Sequence, residues 1–137
     1  MANPHLENAM LALQKHLATN LPTGFDINSI KWETASWTKP DNSNWGRVQT
    51  VSTTDTTYAG GWSRFEGFYA IDLFFVLPAT GSIIGDVGKA LDDVTRAFTN
   101  QHFDDVSTYN CEKNTLDEDS TLIGKQIRVN FSYEGRL

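Results

Sequence analysis

The chain has a single cysteine, Cys111, in 137 residues. An internal disulfide is therefore impossible, and the thiol content points to a reducing compartment or one without selection for disulfides. Basic residues are also scarce: eleven Lys and Arg stand against seventeen Asp and Glu, a net charge of −6. A surface of that sign disfavours binding to a nucleic-acid backbone. No apolar run is long enough to span a bilayer, and the longest ends at Pro78. The first residues lack a basic segment followed by an apolar one, the pattern of a secretory leader, so the sequence predicts a soluble chain made in the cytoplasm. Internal repeats and low-complexity linkers are missing too. The length suits one domain, 1–137, that buries about two thirds of its unfolded surface.

What is present is a change of hydrophobic period between Gly67 and Asn100. Phe68 to Leu77 is β-branched, aromatic and apolar except for Asp72, which predicts a central strand covered on both faces. Pro78, Thr80 and Gly81 break it. Ile84, Val87, Leu91, Val94 and Phe98 then recur at helical spacing behind Ser82 as N-cap, with Asn100 just past the end. An earlier helix begins with Asn3 as cap and Pro4 in the first turn. Its stripe is Leu6, Met10, Leu13, Leu17 and Leu21, and Asn20, Pro22 and Gly24 stop it.

Ile30 to Trp37 alternates weakly and predicts a first strand, and Thr38 to Gly46 reads as a loop. Arg47 to Tyr58 holds six Ser and Thr residues and loses its apolar face after Val51, so it predicts a strand that leaves the core. Ala59 to Gly67 turns it back, giving a long hairpin over Arg47–Leu77 that projects around 47–67. A short strand over Val106–Cys111 and an acidic turn over Asn114–Ser120 precede the cleanest alternation in the chain. There Ile123, Ile127, Val129, Phe131 and Tyr133 share one face with Lys125, and Gln126, Arg128, Asn130 and Ser132 take the other. The predicted fold is α+β, an antiparallel or mixed sheet with two amphipathic helices on one face, in the order α-β-β-β-α-β-β.

Residues with reactive side chains do not converge. Gly81 to Ala90 sits where a phosphate-binding loop would, but its first glycine would have to be Ile83. Ala90 replaces the magnesium-binding hydroxyl, and Asp86 would repel phosphate. His5 and His16 lie ~16 Å apart along a helix and cannot share a metal. His102 beside Asp104 and Asp105, or paired with Cys111, lacks a placed partner for catalysis, and a polar connection and a half-buried strand cysteine are the commoner outcomes. Asp117, Glu118 and Asp119 lack the spacing of a calcium loop. Asn130-Phe131-Ser132 matches a glycosylation acceptor only by chance, inside a strand. Asp72 inside the apolar run is expected to face the solvated or subunit-facing side and to pair with a neighbouring strand, with Arg128 as candidate. These observations predict no enzyme, no cofactor and no metal.

Two surface features remain. Trp45, Tyr58, Trp62 and Phe65 place four aromatics in loop or hairpin-tip segments. With Arg64 they are candidates for a subunit or partner interface, and covering a sheet edge is the alternative. Asp104, Asp105, Glu112, Asp117, Glu118 and Asp119, against Lys113, concentrate five of the six net negative charges.

Four segments carry a family likeness: HLENAMLALQKHLATNLP from His5, GFYAIDLFFVLPATGS from Gly67, VGKALDDVTRAF from Val87 and IGKQIRVNFSYEGRL from Ile123. In element order and hydrophobic texture, with Gly-Phe-Tyr-x-Ile-Asp-x-Phe at Gly67–Phe74, the chain resembles the tail-terminator, or tail-completion, proteins of long-tailed bacteriophages, including the minor tail protein U type. Arg47–Gly67 departs most from that texture. The resemblance implies a structural protein of the virion, made in the bacterial host cytoplasm. It would form a hexameric ring that caps the tail tube, ends its elongation and provides the head-joining surface. The implied partners are further copies of the chain, the tail tube protein and a head-completion or neck protein, without specific nucleic-acid binding and without a membrane. The acidic residues could then line a channel through which DNA passes. Another head-tail connector, neck or gene-transfer-particle component and a small α+β ligand-binding module are the alternatives.

Overall fold

The structure is a computed structural model that describes residues 4–58, 60–118 and 121–136. Helix α1 spans Pro4–Thr19, and its proposed cap Asn3 lies outside the described residues. A single 3-10 turn at Ile27–Ser29 follows, capped by Asp26, whose Oδ1 accepts from the Asn28 and Ser29 amides. Strands β1 (Ile30–Lys31), β2 (Trp45–Thr57) and β3 (Trp62–Val76) lead to helix α2 (Ile84–Phe98). Strands β4 (His102–Phe103), β5 (Val106–Glu118) and β6 (Leu122–Arg136) complete the chain.

The six strands form one mixed sheet in the order β1-β2-β3-β6-β5-β4, parallel only between β1 and β2. The expected α+β class is observed, with β4 as an additional short strand. β3 and β6 form the centre, paired from Trp62–Arg136 to Val76–Leu122. Alternation puts Phe65, Tyr69, Ile71, Leu73 and Phe75 of β3 beside Ile127, Val129, Phe131 and Tyr133 of β6 on one face. Both helices cover that face, α1 with Ala9, Ala12, Leu13 and Leu17, and α2 with Val87, Ala90, Val94 and Phe98.

Several expectations are corrected. The first strand is two residues long, because after Lys31 the chain turns at Thr34, which has a φ of 59°. α2 starts two residues after Ser82. Ile83 holds the cap position, the Ser82 hydroxyl accepts only a 3.3 Å bond from the Ile84 amide, and Ile84 is 81% exposed rather than buried. The central strand is buried on both faces in its middle, Tyr69–Leu73, as expected, but helices cover one face only and on the other Ala70 and Asp72 are covered by side chains. On that second face Phe68 and Phe74 are half-buried under neighbouring side chains, with the Arg128 guanidinium 4.6 Å above Phe68 and Trp45 stacked 4.2 Å from Phe74. Finally, β5 is a 13-residue strand, so the expected acidic turn over Asn114–Ser120 is strand as far as Glu118. Pairing with the strongly alternating β6 from Val106–Tyr133 to Glu118–Ile123 overrides its polar composition.

Candidate assembly surface

The β2–β3 hairpin carries most of the expected interface residues. Its strands pair in register from Trp45–Phe74 to Thr57–Ser63, with a bulge between Ser52 and Thr54. The bulge has a cause in Gly67. A Cβ built there would lie 1.9 Å from the Val51 carbonyl oxygen, so only glycine permits this approach of β2 to β3. Beyond the bulge β2 leaves the core, as its Ser/Thr composition predicts, and every residue from Ser52 to Tyr58 is exposed. The tip closes with the Tyr58 amide donating to the Trp62 carbonyl at 2.7 Å, and the glycines Gly60 and Gly61 both have positive φ.

The structure brings together Tyr58, Trp62 and Arg64 and separates Trp45 and Phe65 from them. Tyr58 and Trp62 are 51% and 49% exposed at the tip. Arg64 is on the helix-free face, its Nη1 donating to Glu134 at 3.1 Å and its Nε 3.1 Å from Glu66. Phe65 has the opposite parity, so its side chain enters the core, 1% exposed between Phe131 and Tyr133. The expectation of an interface role for it is corrected. Trp45 sits ~40 Å of strand from the tip, opposite Phe74. It packs between Phe74 and Trp37, with Lys39 5.2 Å from its ring. Its indole N–H is buried without a hydrogen-bond partner.

Asp72 lies on the helix-free face at the centre of the sheet and is 8% exposed. Its register partners are Arg47 on β2 and Gln126 on β6, and both bind it: Arg47 Nε at 2.8 Å and Gln126 Nε2 at 2.9 Å. Arg128, the candidate partner, instead donates to the Gln126 Oε1 at 3.0 Å and completes the row at one remove. Both carboxylate oxygens are thus satisfied, which is what a buried acid requires. Arg47 becomes the partner through the hairpin register, in which the bulge between Ser52 and Thr54 shifts the pairing by one residue and so sets Arg47 opposite Asp72.

The acidic residues do not form one patch. Asp104 and Asp105 make the β4–β5 turn, each exposed with positive φ, facing a shallow groove with Asn8, Lys15 and Tyr133. Glu112 is exposed on the helix-free face opposite Arg128. The backbone of Asp117 and Glu118 is at the far end of β5, ~40 Å of strand from the β4–β5 turn. Their side chains, and all of Asp119, lie outside the described residues. Lys113 turns away to Asp92 of α2, 3.6 Å distant.

The reactive residues are occupied structurally. His16 bonds the Ala97 carbonyl at 2.7 Å and stacks on Phe103 at 4.0 Å, tying α1 to α2 and β4. The His102 Nδ1 meets the Ser107 hydroxyl at 2.9 Å rather than a carboxylate. Burial pushes the Cys111 thiol above its ordinary value, against the pull of a Thr99 hydroxyl bond and of Lys113, so it is the reverse of an activated nucleophile. Burial, with Glu33 adding to it, raises the Tyr69 phenol far out of its range. Asp93 accepts from both the amide (3.1 Å) and hydroxyl (2.8 Å) of Thr23. Those bonds, with Lys89 and Arg96, hold its carboxyl below the usual value. No group of three metal-binding side chains occurs among the described residues, and no described helix is long and apolar enough to cross a membrane.

No family model matches the sequence, and a search of curated proteins finds no match.

Proposed function

We propose that this chain is a non-enzymatic assembly protein of a bacteriophage tail. It forms a ring that caps the tail tube, ends its elongation and offers the surface to which the head is joined. The observation that carries the reading is the hairpin tip. Tyr58 and Trp62 are half exposed at the end of a hairpin whose outer strand has left its own core. Large aromatics in that position gain most when a second protein buries them. The likeness of the Gly67–Phe74 segment and of the two helices to tail terminators supplies the identity of the assembly, and ring closure supplies the use of the tip.

Arg64, clamped by Glu66 and Glu134 behind the tip, would hold it in one orientation. The test uses tail-tube subunits of the same particle polymerising in the presence of the purified protein. The proposal expects growth to stop and one end of each tube to carry a ring. Tubes of unchanged length, with binding only to portal-bearing heads, would assign the chain to the head side of the neck instead.

A further inference from the structure

We infer that the subunits of this assembly join edge to edge, strand β2 of one copy pairing antiparallel with strand β5 of the next into a continuous sheet. This deepens the ring reading and rests on it. The sheet has two long edges, each covered along part of its length by a two-residue strand. β1 pairs with β2 at Gly46 and Arg47, and β4 pairs with β5 at Val106 and Ser107, the residues before β4 adding backbone bonds between Gln101 and Thr108 and between Asn100 and Tyr109. Among the described residues, no strand lies outside β2 beyond Thr50, and no backbone segment pairs with the outer edge of β5 beyond Tyr109. Open edges of this length seek a partner, and the segment Val51–Thr57 carries one charge, Asp55, and a bulge after Ser52, but no Lys, Arg or Pro.

A second copy fits both edges at once. β2 and β5 run in opposite directions on opposite sides of one sheet, so a copy placed alongside presents β5 antiparallel to β2. The covered halves are at opposite ends. β1 would stand beyond the neighbour's β5–β6 turn, and the neighbour's β4 beyond the β2–β3 tip, so neither short strand obstructs the pairing. Bulges leave a regular run on each edge, Thr54–Thr57 on β2 and Cys111–Thr115 on β5. Matching those runs sets Thr54 opposite Asn114 and Thr56 opposite Glu112, four side chains on the helix-free face.

That register fixes a stagger. Thr54 is level with Glu66 of β3, whereas Asn114 is level, through Gln126, with Asp72. The six positions between them amount to ~20 Å along the strands, over the ~19 Å width of the four strands β2, β3, β6 and β5. Successive copies would therefore be sheared so that the strands tilt about 45° to the ring axis. Closed sheets need a tilt of roughly 35–45°. The same pairing removes every open edge on closure, whereas β2 meeting β2 about a two-fold axis would leave both β5 edges exposed.

The experiment uses full-length chains carrying Cys111→Ser and either T54C with N114C or T56C with E112C, oxidised under conditions where native mass shows the parent chain assembled. All four positions are exposed, and urea midpoints check that the variants fold. The expected result is a ladder of covalent multimers up to the ring size from the double-cysteine chains and only monomers from single-cysteine chains. Rings that assemble but give no ladder overturn the edge pairing and leave the ring reading standing. Covalent dimers from T54C or T56C alone overturn it in favour of a two-fold contact, and a parent chain that never assembles overturns both readings. As an independent check, T54K with T56K should lower the assembled fraction at least ~10-fold at an unchanged urea midpoint, lysine being a natural edge blocker; undiminished assembly counts against the pairing.

Discussion

Replacing Gly67 with alanine tests the packing that launches the projecting hairpin. The added Cβ would meet the Val51 carbonyl oxygen at 1.9 Å, the Val51 carbonyl carbon at 2.9 Å and the Ser52 Cα at 3.0 Å, all of them backbone atoms that cannot rotate away. To restore an ordinary contact β2 must retreat by about 1.5 Å at the Ser52–Gly67 rung. That costs the rung a hydrogen bond worth about 1 kcal/mol, together with overpacking of about 1–3 kcal/mol. The expected loss is therefore about 2–4 kcal/mol, equivalent to roughly 8–15 °C in Tm for a chain of this size. Urea unfolding followed by tryptophan fluorescence measures it. Gly88→Ala is the matched comparison: a Cβ there meets nothing within 4 Å, and in the interior of α2 alanine should add about 0.5–1 kcal/mol. Opposite signs from the same chemical change are the signature of the close approach. A Gly67→Ala chain with the parent's urea midpoint would refute it.

Other consequences are as specific. Tyr69→Phe removes a fully buried hydroxyl that has no hydrogen-bond partner, so stability should be unchanged or rise by about 1 kcal/mol, whereas a fall would reveal a partner for that group. In a double-mutant cycle of Arg47→Ala and Asp72→Ala the coupling should stay below about 1 kcal/mol, because half of the Arg47 side chain is in water; a much larger value would mean that the pair is desolvated. The Asp93 carboxyl has a lowered pKa in the folded chain, so its stabilisation is present above the unfolded value and is lost as pH falls through the folded one. Asp93→Asn should therefore flatten that part of the acid unfolding profile, and an unaltered profile would dismiss the Thr23 link. Trp62→Ala, at a half-exposed position, should leave the unfolding free energy from urea titration within about 0.5 kcal/mol of the parent yet shift rings toward monomers in light scattering; unchanged assembly would remove the tip from the interface.

Much of the fold was legible in local pattern. The strict alternation of Ile123 to Tyr133, the helical stripe from Val87 to Phe98 and the exit of β2 after Val51 each follow from side-chain periodicity, and each is observed. What the sequence concealed depends on distant partners. β5 looks polar and turn-like beyond Cys111, yet it stays a strand because β6 supplies its hydrogen bonds. Phe65 looked like a tip residue because its neighbours are glycine, serine and charged residues, but its parity in β3 decides that it points inward. Asp72 was readable as a paired acid on the sheet face. Its partner was not, because choosing Arg47 over Arg128 needs the hairpin register. The acidic cluster was compact only in sequence, since an extended strand separates its two ends.

The central claim is self-assembly into a ring, and the native mass of the purified chain over a concentration series, by light scattering after size exclusion, tests it most directly. The account predicts a discrete closed species of six copies of the 15.3 kDa chain, or a monomer that converts to it without open-ended intermediates as concentration rises. A monomer at every concentration, or an indefinite polymer, would contradict it.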